Sequence, residues 1–207
     1  MVAQLQTESQ TKSKRYSPEE YLELEEQAQA RSEYRDGEIV LMAGGTVNHN
    51  RIAGAFYRAI PDEIGDQVYE GFIGDMKVWI PQKRMYPYPD VLVVAGEPAY
   101  HAGRQDIIEN QLLIVEVLSK STQQYDQTDK FDAYRTISSL QEYIMIDQYS
   151  YWVKQFVRGD RGQWIFTELI GQDAILQLGS IDFEIILKQL YQRVQFEPNA
   201  ELSSDAE

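Results

Sequence analysis

Two short apolar runs constrain the fold of this chain more than any other feature of its sequence. They are Val91–Val94 and Leu112–Leu118. Runs this short and this apolar are typical of central strands that are covered on both faces of a sheet. The chain therefore needs helices or further strands on both sides of a sheet. A chain of 207 residues is long enough to build that core as one domain.

Helix and strand patterns alternate around these runs. Ser17-Pro18-Glu19-Glu20 is a capping box and predicts a helix that extends to about Ala30. The Asp36-Gly37 pair predicts a hairpin turn. Further helices are predicted at Asn48–Ile60, Tyr125–Thr136 and Asp182–Val194, and further strands at Val68–Ile73, Met76–Ile80, Glu142–Asp147, Tyr151–Val157 and Trp164–Leu169. The order indicates an α/β domain, a mixed β-sheet flanked by α-helices, rather than a strict βαβ repeat.

Composition sets the ends of that domain and excludes several kinds of site. Residues 1–15 and the acidic residues 197–207 are polar, so we expect both to be disordered and residues 16–196 to form the single domain. The chain has no cysteine and two histidines, which excludes disulfides, thiolate zinc sites and cysteine nucleophiles. Neither a signal peptide nor a long apolar run is visible, so we expect a cytoplasmic protein that does not enter a membrane.

Two acids interrupt the apolar runs. Asp90 directly precedes Val91–Val94, and Glu116 lies inside the second run. A charge in a buried strand is costly unless it is paired or bound to a metal. Neighbouring strands would place both carboxylates at one end of the sheet, where two oxygen ligands suit Mg²⁺ or Mn²⁺. The alternative is a salt bridge from each acid to an arginine or lysine on the covering helix.

The same residues resemble a known motif. Pro89-Asp90 followed by Glu116-Val117-Leu118 is similar to the bipartite signature of the PD-(D/E)XK, or restriction-endonuclease-like, nucleases. The resemblance extends over about residues 16–196 to one large bacterial family described as "putative restriction endonucleases". The other matching segments are Tyr34-Arg35-Asp36-Gly37-Glu38-Ile39-Val40, His49 with Ile52, Ser119 with Ser121-Thr122, Asp126, Lys130 with Tyr134, and Glu142-Tyr143 through Asp147.

The resemblance implies a restriction-endonuclease-like fold and a Mg²⁺-dependent, or Mn²⁺-dependent, endonuclease that hydrolyses DNA phosphodiester bonds with an attacking water. It makes Asp90 and Glu116 catalytic metal ligands, adds the Val117 carbonyl as a third ligand, and makes Glu38 an outer acid. His49, at the start of the second helix, is either a site residue or a structural one.

One position departs from the motif. The signature places lysine two residues after the glutamate, and this chain has Leu118 there. Lys120 and Lys130 are the available replacements, and related lineages that move the lysine onto the following helix favour Lys130. A plain Asp126–Lys130 ion pair within the helix is the structural alternative.

The net charge argues against DNA as a partner. The net charge of the chain is −14. Affinity for the phosphates of DNA comes from Lys and Arg, so an acidic chain is a poor DNA-binding surface by default. A catalytically inactive module of the same fold, used for dimerisation or partner binding, is therefore the alternative to the DNA endonuclease, and a hydrolase of another phosphodiester is a third reading. The aromatic residues Trp152, Phe156, Trp164 and Phe166 could stack on bases, fill a core or form the face of a homodimer, and we expect a homodimer.

Overall fold

The computed structural model describes residues 14–120 and 125–196, and a seven-stranded mixed sheet is its centre. The strands, in chain order, are β1 (Ser32–Arg35), β2 (Glu38–Leu41), β3 (Glu63–Ile64), β4 (Gln67–Ile73), β5 (Lys77–Val78), β6 (Met85–Tyr86), β7 (Val91–Ala95), β8 (Ile107–Ile108), β9 (Gln111–Leu118), β10 (Glu142–Asp147), β11 (Trp152–Arg158), β12 (Trp164–Ile170), β13 (Ile175–Gln177) and β14 (Glu184–Ile186).

The large sheet has the order β12-β11-β10-β9-β7-β4-β3. Its neighbours pair antiparallel except β9 and β10, which are parallel. The two apolar runs of the sequence are β7 and β9, next to each other near the middle. The predicted α/β fold with a mixed sheet flanked by helices is therefore confirmed.

The two longest helices in the described part of the chain begin at side-chain caps that the sequence supplies. The helices are α1 (Pro18–Glu26), α2 (Val47–Ala59), α3 (Phe131–Tyr134) and α4 (Leu187–Leu190), with a π-helical turn at Asp126–Lys130 that leads directly into α3. Ser17 and Glu20 form the predicted capping box of α1. Thr46 caps α2 by accepting the His49 N–H. In the described part of the chain, no helix is long and apolar enough to cross a membrane.

Both faces of the sheet are covered, as the apolar runs require. Odd-numbered residues of β9, such as Leu113 and Val115, pack in one cluster with Ile52 and Phe56 of α2 and with Leu187 of α4. Ile114 and Leu118 pack in a second cluster with Ala133 and Tyr134 of α3. Since side chains alternate along a strand, Glu116 lies on the α3 face.

The predicted hairpin lies beside the large sheet. β1 pairs with β2 through the Asp36-Gly37 turn and with β6 on its other side. Tyr21 of α1 stacks on Tyr34 and Tyr86, which joins α1 to this three-stranded sheet.

Two element predictions were wrong. Met76–Ile80 does not pair with Val68–Ile73, because β4 pairs with β7 and the short β5 pairs in parallel with β8. Asp182–Val194 is not one helix, because its first half forms β14, which pairs with β13, and only Leu187–Leu190 is helical. The first helix also ends at Glu26, earlier than expected.

The predicted tails fall almost entirely outside the described residues. Residues 1–13 and 197–207 are not described, so their predicted disorder stays a prediction. Arg15, which the sequence assigns to the tail, donates a hydrogen bond to the Asp36 carbonyl at 2.8 Å.

Candidate active site

The pairing of β7 with β9 brings the two predicted acids to one end of the sheet. The strands are antiparallel with Val91 opposite Val115, so the start of β7 meets the end of β9. Asp90, just before β7, accepts the Val117 N–H at 2.7 Å through its Oδ2. Asp90 and Glu116 line one cavity of about 520 Å³.

Glu116 is buried and held by two donors. Its side chain is 4% exposed, and its Oε1 accepts from Lys130 Nζ at 3.0 Å and from the Tyr134 hydroxyl at 3.0 Å. Burial raises the pKa of Glu116 well above its ordinary value, although Lys130 opposes the rise and Asp126 and Asp90 add to it. Burial thus opposes ionisation of Glu116, and the Lys130 ammonium favours it.

Lys130 occupies the centre of a carboxylate cluster. Its Nζ lies 3.0 Å from Glu116, 3.2 Å from Glu33 and 3.4 Å from Asp126. Burial alone would lower the pKa of Lys130, but Glu116, Glu33 and the other negative groups outweigh burial and raise it well above its ordinary value. The ammonium is therefore kept protonated in the interior. The Asp126–Lys130 pair exists, as one contact of this larger cluster.

Glu33 is a residue of the site that the sequence reasoning missed. It is buried on β1, accepts from Arg35 at 2.6 Å and approaches Lys130. Burial opposes its ionisation, but Lys130 and Arg35 outweigh burial and lower the pKa of Glu33. Strand alternation places Glu33 and Arg35 on one face of β1, but it does not indicate that this face is turned towards the cavity.

Asp126 is a second acid of the site whose role the sequence did not define. It is buried on the π-helical turn, and its Oδ1 has no hydrogen-bond partner among the described residues. The Tyr143 hydroxyl donates to its backbone carbonyl at 3.0 Å, which fixes this turn against β10.

His49 lies beside Asp90 and projects from the first turn of α2. Its Nε2 is 3.1 Å from Asp90 Oδ2. Burial would lower the pKa of His49, but the hydrogen bond and charge of Asp90 raise it overall. Gly45 makes room for the ring, because a Cβ at that position would lie 3.1 Å from His49 Nδ1.

The other two candidates lie farther out. Lys120 is exposed at the rim of the cavity, with its Nζ 5.2 Å from the centre of the Tyr149 ring. Glu38 is exposed on β2 opposite Arg35, outside the set of described residues that line the cavity. The structure thus brings Asp90, Glu116, Val117, Lys130 and His49 together, leaves Lys120 at the rim, and places Glu33 where an outer acid was expected from Glu38.

The donor set fits a hard divalent cation. Four carboxylates (Glu33, Asp90, Glu116 and Asp126) face one another around Lys130 and Arg35, so the site carries excess negative charge. The N–H and C=O of one strand residue point to the same side, so the Val117 carbonyl lies on the Asp90 side. Within residues 14–120 and 125–196, no three His, Cys, Asp or Glu side chains are arranged to hold a metal together, so a cation here would take only Asp90 and Glu116 as side-chain ligands. Two carboxylates and a carbonyl, completed by water and substrate oxygens, suit Mg²⁺ or Mn²⁺.

Known proteins resemble this chain in sequence and in structure. The model of the Uma2 family, described as "Putative restriction endonuclease", matches residues 18–187. The uncharacterized protein sll1609 of Synechocystis sp. (strain ATCC 27184 / PCC 6803 / Kazusa) is 47% identical over 159 residues, which are 76% of this chain and 89% of that protein. A second protein of that strain, slr1290, is 32% identical over 180 residues, 87% of this chain and 93% of its own length.

One solved structure supports the fold independently. A crystal structure from Anabaena variabilis ATCC 29413, described as "a putative nuclease belonging to DUF820", aligns with a TM-score of 0.69 and 18% identity over 86% of this chain and 98% of that one. The mixed sheet flanked by helices is thus shared with that protein. With the family model matching most of its length, this chain belongs to the Uma2 family.

Proposed function

We propose that the chain is a divalent-metal-dependent endonuclease that hydrolyses DNA phosphodiester bonds. The observation that carries the proposal is the placement of Lys130. It comes from the helix after β9, yet its ammonium contacts Glu116 at 3.0 Å in the cavity that Asp90 lines. The positive group that the motif places two residues after the glutamate is thereby available from another element, while Leu118 packs in the apolar cluster.

Each residue of the site has a definite task in this proposal. Asp90, Glu116 and the Val117 carbonyl would hold Mg²⁺ or Mn²⁺, which when bound makes water acidic enough to attack a phosphodiester. Tyr134 and Lys130 fix the Glu116 carboxylate, and His49 and the Val117 N–H fix Asp90. The ammonium of Lys130 stabilises negative charge that develops on the phosphoryl oxygens. Glu33 and Asp126 keep that ammonium protonated and in place.

The proposal is tested by metal binding together with cleavage. We expect the full chain to nick supercoiled plasmid DNA in Mn²⁺ and calorimetry to find one weak Mn²⁺ site. Asp90→Asn and Glu116→Gln should lose both properties, because each removes a charged oxygen ligand. Glu97→Gln, at an exposed position, is the matched control and should keep both.

The catalytically inactive alternative has its own signature. It is favoured by Leu118 at the lysine position of the motif and by the net charge of −14. Retained Mn²⁺ binding in both acid variants, together with no cleavage by the unmodified protein, would contradict the endonuclease and support that reading. Cleavage of a small phosphodiester without cleavage of DNA would instead indicate another substrate.

A further inference from the structure

Two cavities next to the candidate active site contrast with the acidic composition of the chain. One, of about 360 Å³, is lined by residues that include Asn48, Arg51, Gln148 and Gln195. The other, of about 410 Å³, lies between α2 and α4 and is lined by Arg51, Arg58 and Arg193. Among the described residues, neither is lined by Asp or Glu, although the chain contains 33 of these acids.

The three cavities adjoin one another and so form a path along the surface. Thr46 and Tyr149 line both the active-site cavity and the first neighbour. Val47 and Arg51 line both the first neighbour and the second. The path therefore leads from the candidate catalytic residues along α2 to Arg58 and Arg193. We call Arg51, Arg58 and Arg193 the arginine track.

The geometry of α2 places two arginines of this path on one face of the helix. Arg51 and Arg58 are seven residues apart, so they lie on one helix face about 10 Å apart along the axis. Ala55 lies between them on the same face and lines the same cavity. The Arg58 side chain folds back along the helix, with Nη1 at 3.2 Å from the position that a Cβ on Gly54 would take. Gly54 thus leaves room for the Arg58 guanidinium beside the helix backbone.

In its partners the arginine track differs from every other described arginine except Arg161, which has no ion pair either. Ion pairs to carboxylates are made by six other arginines: Arg15, Arg31, Arg35, Arg84, Arg104 and Arg135. Arg158 donates to backbone carbonyls. In residues 14–120 and 125–196, Arg51, Arg58 and Arg193 have no carboxylate partner, so their donors are available to an external anion.

We propose that the arginine track binds the phosphate backbone of the DNA strand on one side of the scissile phosphodiester bond. The inference rests on the proposed endonuclease function, because it assigns the path leading out of that site. The Cα atoms of Arg51 and Arg58 lie about 10 Å apart along the helix axis, which corresponds to roughly three nucleotides of duplex rise, so these two long side chains can reach separate phosphates. Screening confines charge effects to about 8 Å at physiological salt, so a local cationic path can act on an acidic protein.

The test compares two triple variants of the full chain with equal changes of charge. Arg51→Gln/Arg58→Gln/Arg193→Gln removes the track. Lys83→Gln/Arg135→Gln/Arg161→Gln removes three exposed cations elsewhere. Binding of a fluorescent duplex is measured in EDTA over a range of salt concentrations, and hydrolysis of bis-para-nitrophenyl phosphate is measured in Mn²⁺. Thermal melting checks that both variants fold like the unmodified protein.

We expect the track variant to bind the duplex about tenfold to hundredfold more weakly. The slope of log binding constant against log salt concentration should become shallower by about 0.9 for each phosphate contact that is removed. Its hydrolysis of the small ester should be unchanged, because that substrate fills only the active-site cavity. The control variant should bind DNA within about twofold of the unmodified protein.

The outcomes separate this inference from the proposed function. Equal DNA binding by both triple variants, with ester hydrolysis intact, would overturn the arginine track and leave the hydrolase standing. Loss of DNA binding in the track variant alone, in a protein that hydrolyses neither substrate, would support the track and overturn the endonuclease. Tighter DNA binding by the track variant, with a lower melting temperature, would show that the three arginines bind an acidic segment of the chain itself. That result would overturn the inference.

Discussion

A single buried lysine determines whether the carboxylates of this site can share one cavity. Lys130 lies within 3.4 Å of Glu116, Glu33 and Asp126 and is almost completely buried. Three buried carboxylates without a cation would repel one another and lose their hydration. The same ammonium that would stabilise a transition state therefore also holds the unliganded fold together.

Replacement of Lys130 by methionine should separate these two roles. We expect Lys130→Met to abolish Mn²⁺-dependent nicking and to lower the free energy of unfolding by about 3–5 kcal/mol, the usual cost of removing one partner of a buried ion pair. Mn²⁺ should restore part of this stability, because the ion binds only the folded state. Plasmid nicking, calorimetry and urea unfolding with and without Mn²⁺ measure the three effects.

Lys120→Met is the matched comparison, because Lys120 lines the rim of the same cavity and is exposed. It should retain metal binding and stability and most of the cleavage. Loss of cleavage in Lys120→Met with normal cleavage in Lys130→Met would reverse the assignment.

At the scale of elements, the β1–β2 hairpin positions Glu33 and Arg35 in the site. Its turn requires glycine, since Gly37 has a φ of +99° and an added Cβ would lie 3.2 Å from Arg15 Cβ. Gly37→Ala should therefore lower the free energy of unfolding by at least about 1 kcal/mol. Gly44→Ala is the control, because a Cβ there meets nothing within 4 Å. Equal urea midpoints for both variants would contradict the strained turn.

A second prediction concerns the attachment of α1. Lys77 on β5 is buried and donates to Glu25 of α1 at 2.7 Å and to Asp106 at 2.7 Å. Burial opposes ionisation of Asp106, but Arg104 and Lys77 outweigh it and lower its pKa to about 2. A carboxyl whose pKa is depressed by folding adds stability above its unfolded pKa of about 3.9 and loses that contribution as the pH falls towards 2.

Asp106→Asn should therefore be less stable than the unmodified protein at neutral pH, and the difference should shrink as the pH falls below about 4. Urea unfolding at a series of pH values measures it. The exposed Asp173→Asn serves as control and should show little difference at any pH. A difference for Asp106→Asn that stays constant with pH would contradict the role of its charge.

Local patterns predicted the elements that local chemistry determines. Neighbouring residues alone predict the Ser17 cap, the Asp36-Gly37 turn and the apolar strands β7 and β9. The closing helix was predicted wrongly, since the spacing of Ile186, Leu187 and Leu190 fits a helix, whereas β13 was available to pair with β14. Strand partners of this kind are set by tertiary structure.

The composition of the site was predictable only in part for the same reason. Asp90 and Glu116 stand out because each interrupts an apolar run. Glu33 lies in a polar hairpin with acids at several positions, and which of them faces the cavity depends on how that hairpin packs beside the large sheet. The sequence carried no signal for the approach of Glu33 to Lys130, which are 97 residues apart in the chain but 3.2 Å apart in space.

At the scale of the whole molecule, the large sheet ends in an unprotected strand. β12 is seven residues long, pairs with β11 without a bulge, and among the described residues has no partner on its outer edge. Ile165, Phe166 and Ile170 on this strand are each at least half exposed. Of the aromatic residues expected at a dimer face, Phe156 and Trp164 instead pack against Phe131. Native edge strands usually carry charged side chains, especially lysine, or a proline or a bulge that prevents pairing; β12 has no lysine, proline or bulge and a single charged residue, Glu168.

We therefore predict that two copies of the chain pair antiparallel through β12 in a two-fold dimer, which would continue the sheet across both subunits. Sedimentation equilibrium should give a dimer for the unmodified chain and a monomer for Thr167→Pro, because proline removes a donor from the outer ladder or breaks the edge strand that the dimer needs.

Phe166→Lys should weaken the dimer without changing the fold, since that side chain is 51% exposed. Val68→Lys is the matched control, because Val68 is 53% exposed on β4, a strand with neighbours on both sides, and its dimer should be unaffected. A monomeric unmodified chain, or a dimer that survives both β12 substitutions, would exclude this edge as the interface.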